Sequence, residues 1–241
     1  MLFVFIAGGS GIGKSEISAR LAKKLQENGY KTAEVRMDNY YKNRPEGKSK
    51  EDYNRETNFD EPDALQLDRF HRDLVKLNEG KEIEQPFYDM STQQATETLS
   101  IDPAGKDVIL VEGLYAINEA QKIRGMNQFK IYVEPMNYFD PIQRRIERDV
   151  SGDRGSRTRE SILYSEFKSV GPGFFSYISP QANRADLKLN NCKGKFLDDL
   201  VIKAYDALKD KLPVKEIYVS NEKVPVTDIE CVTTGLSYTL V

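Results

Sequence analysis

The sequence is short of the side chains that build metal centres and disulfides, with one histidine and two cysteines in 241 residues. Cys192 and Cys231 form no metal-type cluster, and two isolated thiols suit a reduced, cytoplasmic chain. No apolar run approaches the ~18 residues of a membrane span, so no membrane partner is expected. Positive charge is not in excess either. Against 38 Asp+Glu stand 35 Lys+Arg, a net −3, which argues against a surface built mainly to hold nucleic acid. The opening Met1-Leu2-Phe3-Val4-Phe5-Ile6 has no basic region and turns into glycines at once, so a secretory signal is not expected. Repeats and low-complexity tracts are absent.

What is present is an apolar fraction of 39% beside 30% charged residues, enough for a sizeable core under a well-solvated surface. Strand and helix patterns alternate along the chain. An apolar strand at 2–7 precedes a helix from about 14 to 27 with Ile17, Leu21 and Leu25 on one face. A second strand runs through Ala33, Val35 and Met37 to Asp38. Residues 39–62 are polar and without pattern, long enough to suggest a functional loop. Pro62 is expected to open a helix carrying Leu65, Phe70, Leu74 and Leu77. Two extended pieces near 82–88 and 96–101 read as a hairpin outside the main sheet.

Continuous apolar runs at 107–112 and 129–133 have the signature of strands buried on both faces. A charged helix follows at 139–150, then a short strand at 186–190 and a helix from Leu197 to Leu208, ended by Pro213. Such alternation predicts an α/β fold with a parallel sheet between helices. From Lys215 onward the pattern changes to a small antiparallel meander with turns at Ser220-Asn221 and Gly235. This tail is expected to be a structural annex or subunit contact, which leaves homo-oligomerisation open.

The first chemical signal is Gly8-Gly9-Ser10-Gly11-Ile12-Gly13-Lys14-Ser15, a G-x-x-x-x-G-K-[ST] loop between a strand and a helix. Chance would place this pattern in such a chain roughly once in a hundred, given ordinary glycine usage. Glycines let backbone N–H groups curl around phosphate oxygens, and the helix N-terminus adds partial positive charge. Lys14 supplies a point charge to the outer phosphates, and the Ser15 hydroxyl can ligate Mg²⁺. Glu112, ending the apolar run Val108–Val111, sits where an acid would organise that ion; it could equally be a strand-terminating residue before Gly113.

Asp38 ends the second strand on the same sheet edge as the loop. There it suits a base that takes the proton of an attacking hydroxyl, or else an ordinary turn residue. Arginine is the third signal. Arg144, Arg145, Arg148, Arg154, Arg157 and Arg159 are six of fourteen arginines, within sixteen residues that hold no lysine. Forked guanidinium groups suit charge spread over transferring phosphate oxygens. Arg145 and Arg148 share a helix face, while Ser151-Gly152-Asp153 leaves Arg154 and Arg157 on a lid. The alternative is a salt-bridged surface helix with Glu147, Asp149 and Asp153. His71 reads as a surface or boundary residue.

With these pieces assembled, residues 2 to about 210 resemble the uridine kinase and phosphoribulokinase family of P-loop kinases. Beyond the loop, the resemblance rests on Asp38-Asn39-Tyr40-Tyr41-Lys42, Asn58-Phe59-Asp60-Glu61-Pro62-Asp63-Ala64 and Pro86-Phe87-Tyr88-Asp89. It extends through Glu112-Gly113, the Arg144–Asp149 segment with Arg154-Gly155, and Ala185-Asp186. It implies a three-layer fold with a mainly parallel five-stranded sheet. A kinase domain over 1–213 would carry an acceptor hairpin at about 81–101 and an Arg-rich lid at about 151–159. A β-rich extension would occupy 214–241. It also implies ATP and Mg²⁺, with Gly8 to Ser15 and Arg157 holding nucleotide and Ser15 and Glu112 holding the metal. Asp38 would be the base, Lys14, Arg145, Arg148 and Arg154 the catalytic cations, and Asp60 the holder of the ribose hydroxyls. Tyr41, Tyr88, Gln93 and Arg145 would join Asp38 and Asp60 around the acceptor. Asp60 could also cap the helix ahead of Pro62, and Tyr88 could be hairpin packing.

The chain departs from the family where the base is read. Uridine kinases show Tyr-Asp-Phe-x-x-His-x-Arg; here the segment is Tyr88-Asp89-Met90-Ser91-Thr92-Gln93-Gln94-Ala95. A glutamine on the helix after the lid is Ser165, and the lid is one residue longer, leaving the arginine register open by one. Losing base-reading groups changes specificity more than chemistry. The expected function is therefore ATP-dependent phosphoryl transfer to a small-molecule hydroxyl, such as the 5′-hydroxyl of uridine or cytidine. A kinase of another diol-bearing metabolite (sugar, sugar phosphate or pantothenate-like acid) and a nucleotide switch remain as alternatives.

Overall fold

A computed structural model of the chain describes residues 1–150, 158–191 and 197–214, and the backbone of 216–219 and 222–225. Five parallel strands form the main sheet: β1 (Leu2–Ala7), β2 (Thr32–Arg36), β5 (Val108–Gly113), β6 (Gln128–Pro135) and β7 (Leu187–Asn191), in the order β2-β5-β1-β6-β7. Parallel strands must be covered on both faces, and β1 shows how. Phe3, Phe5 and Ala7 enter one core, while Leu2, Val4 and Ile6 enter the other. The second core is closed by α1 (Lys14–Glu27), through Ile17, Leu21 and Leu25, and by α8 (Leu197–Leu208). The first is closed by α3 (Leu67–Asn78) and α4 (Ala116–Ala120).

A separate antiparallel hairpin, β3 (Ile83–Asp89) and β4 (Gln94–Ile101), stands off the sheet as expected. Two of the bonds that tie it back come from the end of β2 and the segment after it. Gln85 Oε1 accepts the Arg36 N–H at 2.9 Å, and Asn39 Oδ1 accepts the Tyr88 N–H at 3.3 Å. The charged helix appears as α5 (Phe139–Val150).

Three local expectations are corrected. Residues 39–62 are not patternless: α2 (Lys50–Glu56) lies within them, capped by Ser49 Oγ accepting the Asp52 N–H at 3.0 Å. That Ser-x-x-Asp spacing is a start signal. The helix expected from Pro62 is broken in two. Pro62–Ala64 forms a 3₁₀ turn, and α3 starts at Leu67. Between them Leu65 bridges Tyr41, and the Gln66 N–H donates to the Tyr40 carbonyl at 2.8 Å, so backbone pairing outcompetes continuation. Finally, β2 stops at Arg36, and Met37–Tyr40 turn into a 3₁₀ segment that carries Asp38.

From Thr158 the chain is helical almost continuously. α6 (Arg159–Ser165) runs into a π-helical turn at Glu166–Val170, α7 (Gly171–Gly173), a second π turn at Phe174–Ile178 and a 3₁₀ segment at Ser179–Arg184. β8 (Glu216–Val219) and β9 (Glu222–Pro225) pair antiparallel, the first part of the expected meander; 226–241 lie outside the described residues. No helix among the described residues is long and apolar enough to cross a membrane.

Candidate active site

The loop from Gly8 to Ser15 leaves the end of β1 and enters α1 through Gly13, whose φ of +96° suits glycine. Gly11, at φ +74°, needs its missing side chain: a Cβ there would lie 2.6 Å from the Pro141 carbonyl and 2.7 Å from Arg145 Cγ. The loop is thus packed under α5. Asn191 Nδ2 donates to the Ile12 carbonyl at 2.7 Å, and Arg144 Nη1 reaches the same oxygen at 3.2 Å. Lys14 folds back, donating from Nζ to the Gly9 carbonyl at 2.9 Å.

Parallel pairing of β1 with β5 sets Ile6 opposite Glu112, so the carboxylate comes up beside the start of α1. The Ser15 hydroxyl lies 3.1 Å from both Glu112 oxygens. Burial pushes the Glu112 carboxyl up to about 7, and the nearby charge of Asp38 adds to this while Lys14 opposes it. Asp60 is likewise buried and pushed up to about 6 by desolvation, against the pull of Arg145 and Lys14. Its carboxyl caps nothing: the 3₁₀ turn from Pro62 has no side-chain cap. Asp38 and Lys14 thus act on both buried acids, Asp60 and Glu112, while Arg145 acts on Asp60. Hard oxygen donors with incompletely compensated charge fit a magnesium ion that keeps waters and phosphate oxygens in its shell. They do not form an all-protein cage, and among the described residues no cluster of three His, Cys, Asp or Glu could hold a metal.

The arginines divide. Arg145 is buried against the loop and donates from Nη1 to Glu166, whose other oxygen accepts the Tyr138 hydroxyl at 2.6 Å. Its Nε is buried without a partner. Arg148 grips the neighbouring Asp149 at 2.6 and 3.2 Å, in the manner of the salt-bridged alternative. Arg154 and Arg157 lie outside the described residues.

A cavity of about 1260 Å³ opens from the phosphate loop at Ser10, past Asp60 and Arg145, to Tyr88 and Gln93 of the hairpin. Tyr41, Asn54, Phe59 and Met90 also line it. Its aromatic wall is self-packed: Tyr41 meets Tyr88 at 5.6 Å and Phe59 at 5.7 Å between ring centres, and the Tyr41 hydroxyl donates to the Phe59 carbonyl at 3.1 Å. Lys14, Asp38 and Glu112 are not in this wall. Their charges nevertheless act on its Asp60 or on one another. Sequence reasoning missed Asn54 and Glu166. The first had the Ser49 cap signal beside it; the second had none, since only the fold brings it against Arg145.

A model of the phosphoribulokinase / uridine kinase family matches residues 3–195. A uridine kinase of Macrococcus caseolyticus is 37% identical over 183 residues, 76% of this chain and 84% of the relative. One of Staphylococcus epidermidis is 38% identical over the same shares. The phosphoribulokinase of Rhodobacter spheroides superposes with a TM-score of 0.56 at 15% identity, covering 83% of this chain and 73% of that one, a likeness of fold.

Proposed function

The chain belongs to the phosphoribulokinase/uridine kinase family, and from that premise we propose that it transfers the terminal phosphoryl group of ATP to the 5′-hydroxyl of a uridine- or cytidine-like nucleoside. One observation carries the reading: a single cavity runs from the phosphate loop to the acceptor hairpin with Asp60 and Arg145 in its wall. Phosphates bind at the Gly8–Ser15 backbone, and the Lys14 ammonium exchanges its loop carbonyl for their oxygens. Ser15 and Glu112 would hold Mg²⁺, which would supply neutralisation of charge on the nucleotide. Asp60 holds the vicinal hydroxyls of the ribose, and Tyr41, Tyr88 and Gln93 surround the base.

Asp38 accepts the proton of the attacking hydroxyl as its oxygen bonds to the γ-phosphorus and the bond to the ADP oxygen breaks. Arg145, Arg148 and Arg154 balance charge on the transferring group, and Arg157 binds nucleotide, as a lid near 151–159 shuts out water. The kinase body is residues 1–213, with the hairpin at 81–101 as acceptor insert; the extension from 214 lies outside the chemistry. The protein works in the cytoplasm on a small molecule, without nucleic acid or membrane.

An acceptor panel tests this. Purified protein with ATP and Mg²⁺ is offered uridine, cytidine, other nucleosides, D-ribose and pantothenate, with ADP and phosphorylated product followed together. Turnover of uridine or cytidine above the others is expected. A second reading, a kinase of another diol-bearing metabolite, is favoured by Gln93 and Ala95 standing where uridine kinases carry histidine and arginine. Turnover confined to a sugar or acid would establish it. ADP without phosphorylated product would point to a nucleotide switch.

A further inference from the structure

Among the residues that line the cavity, three polar atoms are buried with no hydrogen-bond partner: Arg145 Nε at the phosphate end, and Gln93 Oε1 and the Tyr88 hydroxyl at the hairpin end. Tyr88 and Gln93 are each only 5% exposed. A buried polar group left unpaired is unfavourable unless something else satisfies it. The pair lies at the hairpin end, away from the loop, and neither takes part in phosphoryl transfer.

Gln93 is also held unusually firmly. It is the only non-glycine residue with positive φ (+59°) among those described, a conformation that persists only where surroundings enforce it. Here its N–H donates to the Asp89 carbonyl at 2.7 Å, and its own carbonyl accepts the Arg44 N–H at 2.9 Å. Its carboxamide is fixed as well. Nε2 donates to Asn54 Oδ1 at 2.6 Å, from the helix Lys50–Glu56, which also lines the cavity. With that donor engaged, the atom of the amide left without a partner is Oε1, an acceptor.

We propose that Asn54 is a positioning residue that sets the polarity of Gln93, so that Gln93 Oε1 accepts an N–H from the acceptor's heterocycle while the Tyr88 hydroxyl donates to the adjoining acceptor atom. This rests on the nucleoside reading above and narrows it. The ligand is a base with an N–H beside a carbonyl or ring nitrogen on one edge, as uracil has at N3–H and O4 and cytosine at N4–H and N3. A simple sugar or hydroxy acid offers no such edge. Arg44, whose charge acts on Tyr88, favours an electron-rich oxygen or nitrogen there.

Steady-state kinetics with uridine, N3-methyluridine and D-ribose test it, on the full chain and on Asn54→Leu, Asn54→Asp and Gln93→Leu. The methyl group removes the N–H without touching the protein, so one arm is independent of folding. Wild-type protein is expected to prefer uridine to N3-methyluridine by roughly 100-fold or more in kcat/KM. Gln93→Leu and Asn54→Leu should erase most of that preference by raising the KM for uridine at least about tenfold, with kcat and the KM for ATP little changed. Asn54→Asp, which still accepts from Nε2, should restore much of it. Equal use of the two nucleosides by wild type overturns the inference while leaving the nucleoside reading intact, and so does failure of Asn54→Asp to rescue. Turnover of D-ribose with no nucleoside turned over overturns both.

Discussion

The two ends of the cavity are built on opposite plans. At the phosphate end most polar groups are already engaged with one another, Arg145 Nε excepted: Lys14 with the Gly9 carbonyl, Ser15 with Glu112, Asn191 and Arg144 with the Ile12 carbonyl, Arg145 Nη1 with Glu166. Nucleotide must exchange these bonds for its own. At the hairpin end the Tyr88 hydroxyl and Gln93 Oε1 are buried without a partner, so a ligand that reached them would add bonds without breaking any. The first plan tolerates long idle periods with charges neutralised. The second makes selectivity depend on a few atoms. At the phosphate end Gly8–Ser15 keeps the G-x-x-x-x-G-K-[ST] pattern, whereas the hairpin end carries Met90, Gln93 and Ala95 in the segment where the resemblance places the base-reading residues.

The contrast can be tested by substitutions that touch one end only. The largest effect is expected from Asp38→Asn, which should lower kcat by about 10²–10⁴-fold while ATP affinity by calorimetry stays within about threefold. Turnover near wild type would remove Asp38 from the chemistry. Next, Glu112→Gln should raise the Mg²⁺ concentration needed for half-maximal activity by roughly 10–100-fold, with the acceptor KM unmoved. A shift in acceptor KM instead would mean that the two ends are not independent. Tyr88→Phe is the mirror case: a rise of about tenfold in acceptor KM, no change in the KM for ATP, and no loss of thermal stability, since the hydroxyl it removes has no partner.

The smallest effect is on stability. Burial raises Asp60 from 3.8 to about 6, so the folded protein holds this proton more tightly than the unfolded chain does. Stability should therefore fall as pH rises from about 4 through 6, by at most about 3 kcal/mol for a shift of this size. Asp60→Asn should flatten that fall and raise the melting temperature of the nucleotide-free protein at pH 7.5 by several degrees. An unchanged pH profile would show that the Asp60 carboxyl is solvated.

Much of the phosphate end was legible in the sequence because its signals are local. Val108–Val111 has the signature of a strand buried on both faces, and Gly8–Ser15 carries its own turn chemistry. The parallel sheet, α1, α5 and the hairpin appear where the periodicity places them. What escaped depends on distant partners. Leu65 leaves the helix because Tyr41 offers it a bridge. The Arg145–Glu166 pair spans a stretch in which spacing gives no hint of contact. Likewise nothing in the sequence pairs Asn54 with Gln93, 39 residues on; the hairpin turn and a short capped helix must both form before they meet.

The position of β1 has a consequence for how the protein comes into being. Its two neighbours in the sheet are β5, beginning at Val108, and β6, ending at Pro135. At ~5–20 residues per second of synthesis, six apolar residues from Leu2 to Ala7 must wait on the order of ten seconds for anything to pair with. Contacts of such long sequence separation also form late in folding. The nucleotide-binding loop should thus gain its affinity only after β5 and β6 have left the ribosome. Nascent chains arrested before β6 emerges would carry the complete motif and bind no nucleotide.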